Sequence, residues 1–368
     1  MKILYVITST DTGGAEKALC ALAVQTKEQG NEVRVLCLKP LGPVASELEK
    51  AGISVKEIGI KSPGKTIKKI RAEIELFKPA LVHAMLFRAI EFTRMACAGT
   101  GVKLVTTPHF DLSKKNFLLR LADRFLKEKD TLSVAESFST MQYLINYQGY
   151  DPDKVYLLPN GVDKSRFYKD QNLRASMRQK QSFHVKTVVF ICVARLAPVK
   201  DPMTLLKAFR NVWMRNSNVR LVYVGEGKER SSLERYIRQS KMQEPVLLAG
   251  EQEDINGYLN MADVFVLPSI EESLPLSLLE ALQVGLPCIV SHVGDMPRWV
   301  EHGKNGYVFA PGDVSLLSCF MDLIAQNEKE RLGMGQNALE KAAHIMDPLT
   351  QYQQIYQQLI NGKFSREN

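Results

Sequence analysis

Two glutamates eight residues apart, Glu272 and Glu280, form the acidic pair of this sequence best placed to do chemistry. They flank the start of a predicted helix at residues 276–284, which follows a buried-strand pattern at residues 262–268. The first backbone N–H groups of a helix lack internal partners and carry partial positive charge, so this end can hold an anion. Because carboxylates accept hydrogen bonds from hydroxyls, the stretch predicts a phosphorylated-sugar site. A capping or surface role for either glutamate stays open.

Cations and glycines follow other predicted strands. Arg195 and Lys200 come after the strand pattern at residues 187–194, where together they could neutralise a diphosphate and stabilise it as a leaving group. Glycines that permit close backbone approach follow the first strand and the one at residues 219–224; they are Gly13, Gly14, Gly225 and Gly227. The Gly13-Gly14 pair fits neither the nicotinamide fingerprint nor a Walker loop. Surface cations and plain tight turns are the alternative interpretations.

One histidine, His109, follows the predicted strand at residues 104–107 and could bind a sugar or transfer a proton. A structural histidine is the alternative, and His83 is a weaker candidate of the same kind. The other histidines and the six cysteines form no ligand pattern, so we expect no metal and no cofactor. Scattered cysteines in apolar stretches indicate reduced thiols and a cytoplasmic protein.

Short apolar runs alternate with helical patterns through both halves of the chain. Strands without polar alternation, separated by helices, indicate parallel sheets covered on both faces. The polar stretch near residues 160–185 predicts a linker between two doubly wound α/β domains, and residues 348–360 predict a closing helix. Since such sheets bind ligands outside the carboxyl ends of their strands, two domains facing across a cleft would suit a reaction that joins two substrates. The predicted strands are 3–7, 32–38, 54–58, 81–83, 104–107, 131–135, 155–157, 187–194, 219–224, 246–249, 264–267, 287–291 and 306–309. The predicted helices of the first half are 16–29, 44–51, 65–77, 88–98, 117–126 and 136–147.

The net charge of +8 lies mainly in the first half, since residues 1–170 carry 26 Lys/Arg against 19 Asp/Glu. This excess suggests an acidic partner, either anionic lipid or a phosphorylated acceptor, and no nucleic-acid partner is expected. The basic clusters include Lys65, Lys68, Lys69, Lys114 and Lys115. The segment 117–126 after the last pair is amphipathic, as interfacial helices are, and a solvated core helix is the alternative that its sequence favours in isolation. No apolar run approaches a membrane span, and the start of the sequence has no signal-peptide pattern.

The ordered set of these motifs resembles the retaining glycosyltransferases of glycosyltransferase family 4, which have the GT-B fold. The resemblance covers nearly the whole chain and is strongest from residue 193 to residue 309. Besides the motifs above it includes Pro159-Asn-Gly-Val-Asp163 with Phe167, the run from Glu272 to Glu280, Ala281-Leu-Gln-Val-Gly-Leu-Pro287 and Glu301-His-Gly-Lys-Asn-Gly306.

The resemblance implies a role for each matched position. Arg195 and Lys200 would hold the donor diphosphate, with the amides of Leu276 and Ser277 on phosphate and the Gly13-Gly14 loop approaching it. Glu272 would contact the transferred sugar, Glu280 the ribose, and His109 would lie near the sugar. Gly225 and Gly227 also match donor positions, and the family needs no metal ion. The implied domains are residues 1–165 for the acceptor, 166–345 for the donor, and a tail at 346–368 that returns to the first domain.

Several positions depart from the family pattern. Ser273-Leu274 stands where Gly-Phe is frequent, Asp201 where a glycine follows the lysine, Asp295 at the second position of a glycine pair, and Met85 where a second histidine is common. The last departure lies in the acceptor half and affects the acceptor more than the chemistry.

The sequence therefore predicts a retaining, metal-independent transferase that moves a hexose from a nucleoside diphosphate sugar to an acceptor hydroxyl. We expect a glycan or lipid-linked acceptor in cell-envelope biosynthesis, of lipopolysaccharide, capsule or glycolipid, with peripheral contact to the inner face of an anionic membrane. The sequence does not distinguish a UDP-sugar from a GDP-mannose donor. The alternatives are a sugar-nucleotide epimerase on the same fold, a phosphorylase, which would need a pyridoxal lysine, and a non-catalytic glycan-binding module.

Overall fold

A computed structural model describes residues 1–109 and 117–364 of the protein. The chain divides into two compact units. The first comprises Met1–Asn160 and Asp347–Asn368, and the second comprises Gly161–Met346. These bounds lie within five residues of the divisions expected at 165/166 and 345/346, and the tail groups with the first unit.

The first unit is built on a seven-stranded parallel sheet with the order β3-β2-β1-β4-β5-β6-β7. Its central strands are buried along nearly their whole length, which is why they read as unbroken apolar runs in the sequence. The strands are β1 (Lys2–Ile7), β2 (Glu32–Cys37), β3 (Ser54–Glu57), β4 (Leu81–Met85), β5 (Lys103–Thr107), β6 (Leu132–Ala135) and β7 (Val155–Leu157).

Helices connect these strands and close the unit. They are α1 (Gly14–Glu28), α2 (Pro43–Lys50), α3 (Pro63–Phe77), α4 (Phe87–Cys97), α5 (Phe117–Leu126), α6 (Phe138–Asn146) and the C-terminal α15 (Pro348–Ile360). The last of these packs Tyr352, Ile355, Tyr356 and Leu359 into the same apolar core as β1 and α1. Polar bonds add to this contact, because Tyr356 OH lies 2.6 Å from His83 Nδ1 and Gln353 Nε2 donates to Thr26 Oγ1 at 2.6 Å.

The second unit has a six-stranded parallel sheet in the order β10-β9-β8-β11-β12-β13. One apolar core runs through the unit on both faces of this sheet. The strands are β8 (Val188–Val193), β9 (Val219–Val224), β10 (Val246–Leu248), β11 (Val264–Leu267), β12 (Cys288–Ser291) and β13 (Gly306–Phe309). The helices are α7 (Gln171–Lys180), α8 (Pro202–Arg215), α9 (Arg230–Gln239), α10 (Ile255–Met261), α11 (Leu276–Val284), α12 (Met296–Trp299), α13 (Val314–Gln326) and α14 (Glu328–Ala343).

All thirteen predicted strands are present, and the predicted fold class of two doubly wound α/β domains is confirmed. The polar stretch near 160–185 is different, because it contains the helix α7 rather than only a linker. This helix docks on the second unit through Arg174 and Arg178, which both pair with the carboxylate of Asp263. Leu173 and Met177 also pack against the core, but two apolar positions in a strongly polar segment give too weak a hydrophobic pattern to indicate this helix.

Candidate active site

The strand order of the second sheet reverses between β8 and β11. Successive connections leave this point toward opposite sides of the sheet, which opens a crevice beyond the carboxyl ends of the two strands. Arg195 and Lys200 lie in the loop after β8, and Glu272 lies in the loop after β11. The topology therefore brings these three predicted site residues to the same edge of one sheet.

The loop after β8 is fixed by main-chain contacts. Leu196 N donates to Glu226 O at 2.9 Å, and Ile270 N from the loop after β11 donates to Val199 O at 2.8 Å. The second bond ties the segment that ends at Lys200 to the segment that carries Glu272. Both charged side chains are therefore held by a connected backbone rather than by two independent loops.

Within this frame Lys200 Nζ donates to Glu272 Oε1. The two side chains are 18% and 11% exposed, so the pair is largely shielded from water. Ser269 Oγ, from a fully buried serine, also donates to Glu272 Oε1 at 3.1 Å, and Ser291 Oγ donates to Ser269 O. The glutamate is thus held in one orientation by a cation and a hydroxyl, with its second oxygen left to accept other donors.

The main chain at Gly294 packs closely against the Glu272 loop. A Cβ on Gly294 would lie 2.2 Å from Glu272 O and 2.4 Å from Ser273 O, and its φ is +52°. The next residue, Asp295, donates its N–H to Ser273 O at 2.8 Å. Close backbone approach and a left-handed conformation both require glycine at 294, whereas the N–H bond from position 295 to Ser273 O is one that any residue except proline can make.

The residue after the lysine, Asp201, has left-handed backbone with φ of +45°. Glycine is the usual residue in this conformation, but aspartate tolerates it. Asp201 is also the N-cap of α8, where its carboxylate accepts from Thr204 N at 3.3 Å. This capping bond offsets the backbone cost and explains how the sequence departs from glycine here without losing the turn.

The start of α11 follows the Glu272 loop directly. Its N-cap residue is Pro275, and no side chain in the described ranges caps its first amides. Leu276 and Ser277 are partly exposed at this end, and Glu280 lies about one turn further into the helix. An uncapped helix start next to a lysine is a suitable place for a phosphate.

Arg195 is exposed and makes no ion pair with any residue of the described parts of the chain. The two glycines after β9 have a structural reason of their own. Cβ atoms on Gly225 and Gly227 would lie 2.1 Å from Ala194 O and 2.2 Å from Leu196 O, with φ of +134° and +159°. They let the loop after β9 pack against the loop that carries Arg195.

In the first unit, Gly13 is the extended N-cap of α1 and the exposed Gly14 is its first residue. A Cβ on Gly13 would meet the Glu16 carboxylate at 2.3 Å, and that carboxylate accepts from Ser9 Oγ at 2.8 Å. The glycine therefore allows Glu16 to fold back over the loop after β1. This loop lies beside β4 at the point where the first sheet reverses its strand order.

His109 follows β5 with φ of +52°. Its Nε2 is enclosed and has no hydrogen-bond partner among residues 1–109 and 117–364. Burial lowers the pKa of His109 to about 4, so the ring is neutral at physiological pH. His83 differs, since both its ring nitrogens are bonded, to Tyr356 OH and at 2.8 Å to Thr107 Oγ1, and its place is structural.

The predicted basic cluster on α3 contains Lys65, Lys68 and Lys69, all exposed, although Lys69 Nζ also donates to Ile58 O at 2.8 Å. Lys114 and Lys115 lie outside the described residues. Over the ranges described, no group of three His, Cys, Asp or Glu side chains could hold a metal ion. In those same ranges no helix is long and apolar enough to cross a membrane.

Comparisons with known proteins bear on the family and the fold of the chain. The sequence profile of Glycosyltransferase Family 4 matches residues 12–166, and that of Glycosyl transferases group 1 matches residues 174–341. The Anabaena protein HepE, solved in complex with UDP-glucose, superposes with a TM-score of 0.86 over 98% of this chain and 100% of HepE, at 21% identity. The chain belongs to the GT-B glycosyltransferases.

Two characterised relatives illustrate the range of this class. UDP-Gal:alpha-D-GlcNAc-diphosphoundecaprenol alpha-1,3-galactosyltransferase of Escherichia coli is 30% identical over 210 residues, which is 54% of this glycosyltransferase and 54% of the E. coli enzyme. The match thus spans about half the length of that relative. N-acetyl-alpha-D-glucosaminyl L-malate synthase of Bacillus anthracis is 26% identical over 72% of this chain and 71% of its own.

Sequence reasoning missed two residues of this site. Ser269 was visible in the loop, but its bond to Glu272 follows only from the fold. Gly294 had a signal, because it precedes the departure at Asp295 in a frequent glycine pair. Its contact with the carbonyls of residues 272 and 273 could not be inferred from that pair.

Proposed function

We propose that this glycosyltransferase moves a hexose from a nucleoside diphosphate sugar to an acceptor hydroxyl, with retention at the anomeric carbon and without a metal ion. The observation that carries the proposal is the contact between Lys200 and Glu272 beside the uncapped start of α11. A cation, a carboxylate and free helix amides are the three groups that a diphosphate sugar requires.

In the proposed reaction, the bond between the anomeric carbon and the diphosphate oxygen breaks, and the bonding electrons stay on the phosphate. Lys200, Arg195 and the amides of Leu276 and Ser277 stabilise the negative charge that develops there. The acceptor oxygen forms its bond on the same face of the sugar, and its proton passes to an oxygen of the departing phosphate. Atoms and charge balance without a metal ion.

Glu272 orients the donor in this scheme and does not attack it. Its Oε1 is already occupied by Lys200 and Ser269, which leaves Oε2 to accept from sugar hydroxyls. Binding of the diphosphate draws Lys200 toward the new anion and frees more of the carboxylate for the sugar. Glu280 binds the ribose, and the Gly13-Gly14 loop and His109 remain predicted contacts of the first unit.

We further propose a lipid-linked or envelope-glycan acceptor at the inner face of the cytoplasmic membrane, bound by the first unit. The E. coli relative is named for a diphosphoundecaprenol acceptor and a UDP-galactose donor. The excess of positive charge in residues 1–170 is consistent with an anionic acceptor or lipid surface. We expect a UDP-sugar or GDP-mannose as donor.

A donor screen tests the proposal. Thermal shift with UDP-glucose, UDP-galactose, UDP-N-acetylglucosamine and GDP-mannose identifies the ligand, because a bound donor stabilises by mass action. With that donor, Glu272→Gln should lower turnover about 100-fold or more and leave nucleotide affinity within a few-fold. Glu271→Gln, on the adjacent residue, is the matched control and should retain turnover.

Different outcomes contradict different parts of the proposal. An inverted product in the anomeric NMR spectrum would exclude retention, and loss of turnover in EDTA would exclude metal independence. Conversion of the donor with no acceptor present would favour the epimerase. Binding of glycans without any transfer would favour the non-catalytic module.

A further inference from the structure

The helix α5 exposes three large apolar side chains to solvent, while Leu119 and the carboxylate of Asp123 face the protein. Phe117, Leu118 and Phe125 are 66%, 72% and 75% exposed. At about 100° per residue these three positions and the partly exposed Leu121 share one side of the helix, within an arc of about 100°. An ordinary surface helix buries such a stripe against the core, so this orientation needs an explanation.

Buried polar contacts hold the opposite side of α5. Asp123, only 2% exposed, accepts from Arg94 Nη1 at 2.7 Å and from Tyr150 OH at 2.9 Å. Arg94 is itself fixed, since its Nε donates to Asp130 Oδ1 at 2.8 Å. A rotation that buried the apolar stripe would break the buried Arg94–Asp123 pair and the hydrogen bond from Tyr150, although Arg94 would keep Asp130 and Glu91. The exposed orientation is therefore the one that the fold enforces.

The end of α6 extends the same exposed apolar surface. Tyr147 is 66% exposed, and its ring stacks on Tyr143 with centroids 5.5 Å apart. Two basic side chains join this end of α6 to α5, because Arg124 donates to Tyr147 O and Lys127 Nζ donates to Gln148 O at 3.1 Å. Tyrosine is enriched where proteins meet the polar layer of a membrane, since its ring is apolar and its hydroxyl is polar.

Basic residues surround the stripe. Arg120, Arg124 and Lys129 lie on or just after α5, and Glu128 is the exposed acid among them. Lys127 is largely buried, with its ammonium on the carbonyls of Gln148 and Gly149. A second copy of the chain, docked symmetrically on this face, would bring the same positive charges together. An anionic lipid surface complements both the charge and the apolar stripe.

We propose that Phe117, Leu118, Phe125 and Tyr147 form a lipid-docking face that inserts into the surface of an anionic bilayer while the surrounding basic side chains contact its headgroups. This inference rests on the proposed function in one respect: it states how the enzyme would reach a lipid-linked acceptor. Docking itself requires neither donor nor transfer.

Vesicle flotation tests the proposal with the full chain. Vesicles of phosphatidylcholine with 30 mol% phosphatidylglycerol should carry the protein at 0.1 M salt, and pure phosphatidylcholine vesicles or 1 M salt should carry much less. Replacing Phe117, Leu118 and Phe125 together by serine should lower the partition coefficient at least 100-fold, from about tenfold or more per large apolar side chain. The matched control replaces three equally exposed residues of the second unit, Val185, Met214 and Leu332, and should stay within twofold of the wild type.

Equal flotation of the wild type and the Phe117/Leu118/Phe125 variant would overturn the proposal. The proposal would also be overturned by a concentration-dependent dimer of the wild type that persists when vesicles are added and is lost in the variant. The occupant of the face would then be a second copy of the chain. As a second readout, Phe125→Trp should show added fluorescence quenched by brominated lipids, and a tryptophan left unquenched in bound protein would also contradict insertion. Consumption of the donor with a water-soluble acceptor should be unchanged in the variant, so absence of transfer in the wild type would refute the proposed function and not the docking face.

Discussion

Substitution of Gly294 by alanine should lower turnover far more than it lowers nucleotide affinity. The added methyl group would lie 2.2 Å from Glu272 O. A carbon–oxygen contact requires roughly 3.3 Å, so the Glu272 loop must move by about 1 Å. A misplacement of about 1 Å can cost about 100-fold in rate, equivalent to about 2.7 kcal/mol in the activation barrier. We therefore expect kcat to fall about 100-fold in Gly294→Ala.

The same substitution has a cost in stability. The φ of +52° is unfavourable for alanine by about 1–2 kcal/mol. In a unit of this size that corresponds to a fall of roughly 2–8 °C in the melting temperature. Calorimetric titration with the nucleoside diphosphate should give an affinity within a few-fold of the wild type, because Lys200 and α11 stay in place.

Gly303→Ala is the matched control, because Gly303 also has positive φ, +78°, but a Cβ there would meet nothing within 4 Å. It should lower the melting temperature by a similar amount and leave kcat unchanged. The reasoning fails if Gly294→Ala turns over like the wild type, or if Gly303→Ala loses as much turnover. Loss of nucleotide binding in Gly294→Ala would indicate collapse of the unit instead of a displaced loop.

Two further predictions concern a hydroxyl and a buried ring. Ser269→Ala removes one donor to Glu272, so kcat should fall about tenfold with nucleotide affinity unchanged; Ser269→Thr keeps the hydroxyl and should recover most of the rate, and an equal loss in both variants would point to packing instead. Burial lowers the pKa of His83 to about 3. Below pH 6.5 the ring is therefore protonated in the unfolded chain and stays neutral in the folded chain until the pH approaches 3. His83 alone should lower the free energy of unfolding by about 3 kcal/mol between pH 6.5 and pH 4, and the buried His109 adds to this fall; denaturant titration measures the total. His83→Gln should flatten this slope, and an unchanged slope would assign the acid loss to other groups.

Much of the fold could be predicted because buried parallel strands need nearly continuous apolar runs. All thirteen strands follow from that pattern. The polar residues at their carboxyl ends indicate the edge of each sheet at which a site would lie. Helix α7 could not be found in this way, since its apolar contacts come from Leu173 and Met177 and its other contacts from ion pairs of Arg174 and Arg178 with Asp263. The pattern of α5 showed an apolar side but not its direction, which depends on a pair between Asp123 and the distant Arg94.

The candidate site was predictable as a set of residue types and not as a set of contacts. The sequence places Lys200 and Glu272 seventy-two positions apart, and only the neighbouring strands β8 and β11 bring them together. The contribution of Ser269 depends on the conformation of a loop that no periodicity describes. Gly225 and Gly227 were expected to approach a ligand, but their closest neighbours are carbonyls of the adjacent loop, so their role as donor contacts stays a prediction.

The return of α15 to the first unit has a consequence for synthesis on the ribosome. Its buried tyrosines and leucine complete a core begun by β1, but Gly161–Met346 must be translated before they emerge. At 5–20 residues per second, the roughly 190 intervening residues take roughly 10–40 s. During that interval the imidazole of His83 has no Tyr356 hydroxyl to bond, and an apolar surface of the nascent first unit stays uncovered. The second unit can finish folding first, so a chain cut short before Pro348 should retain a stable second unit and expose an incomplete first one to chaperones.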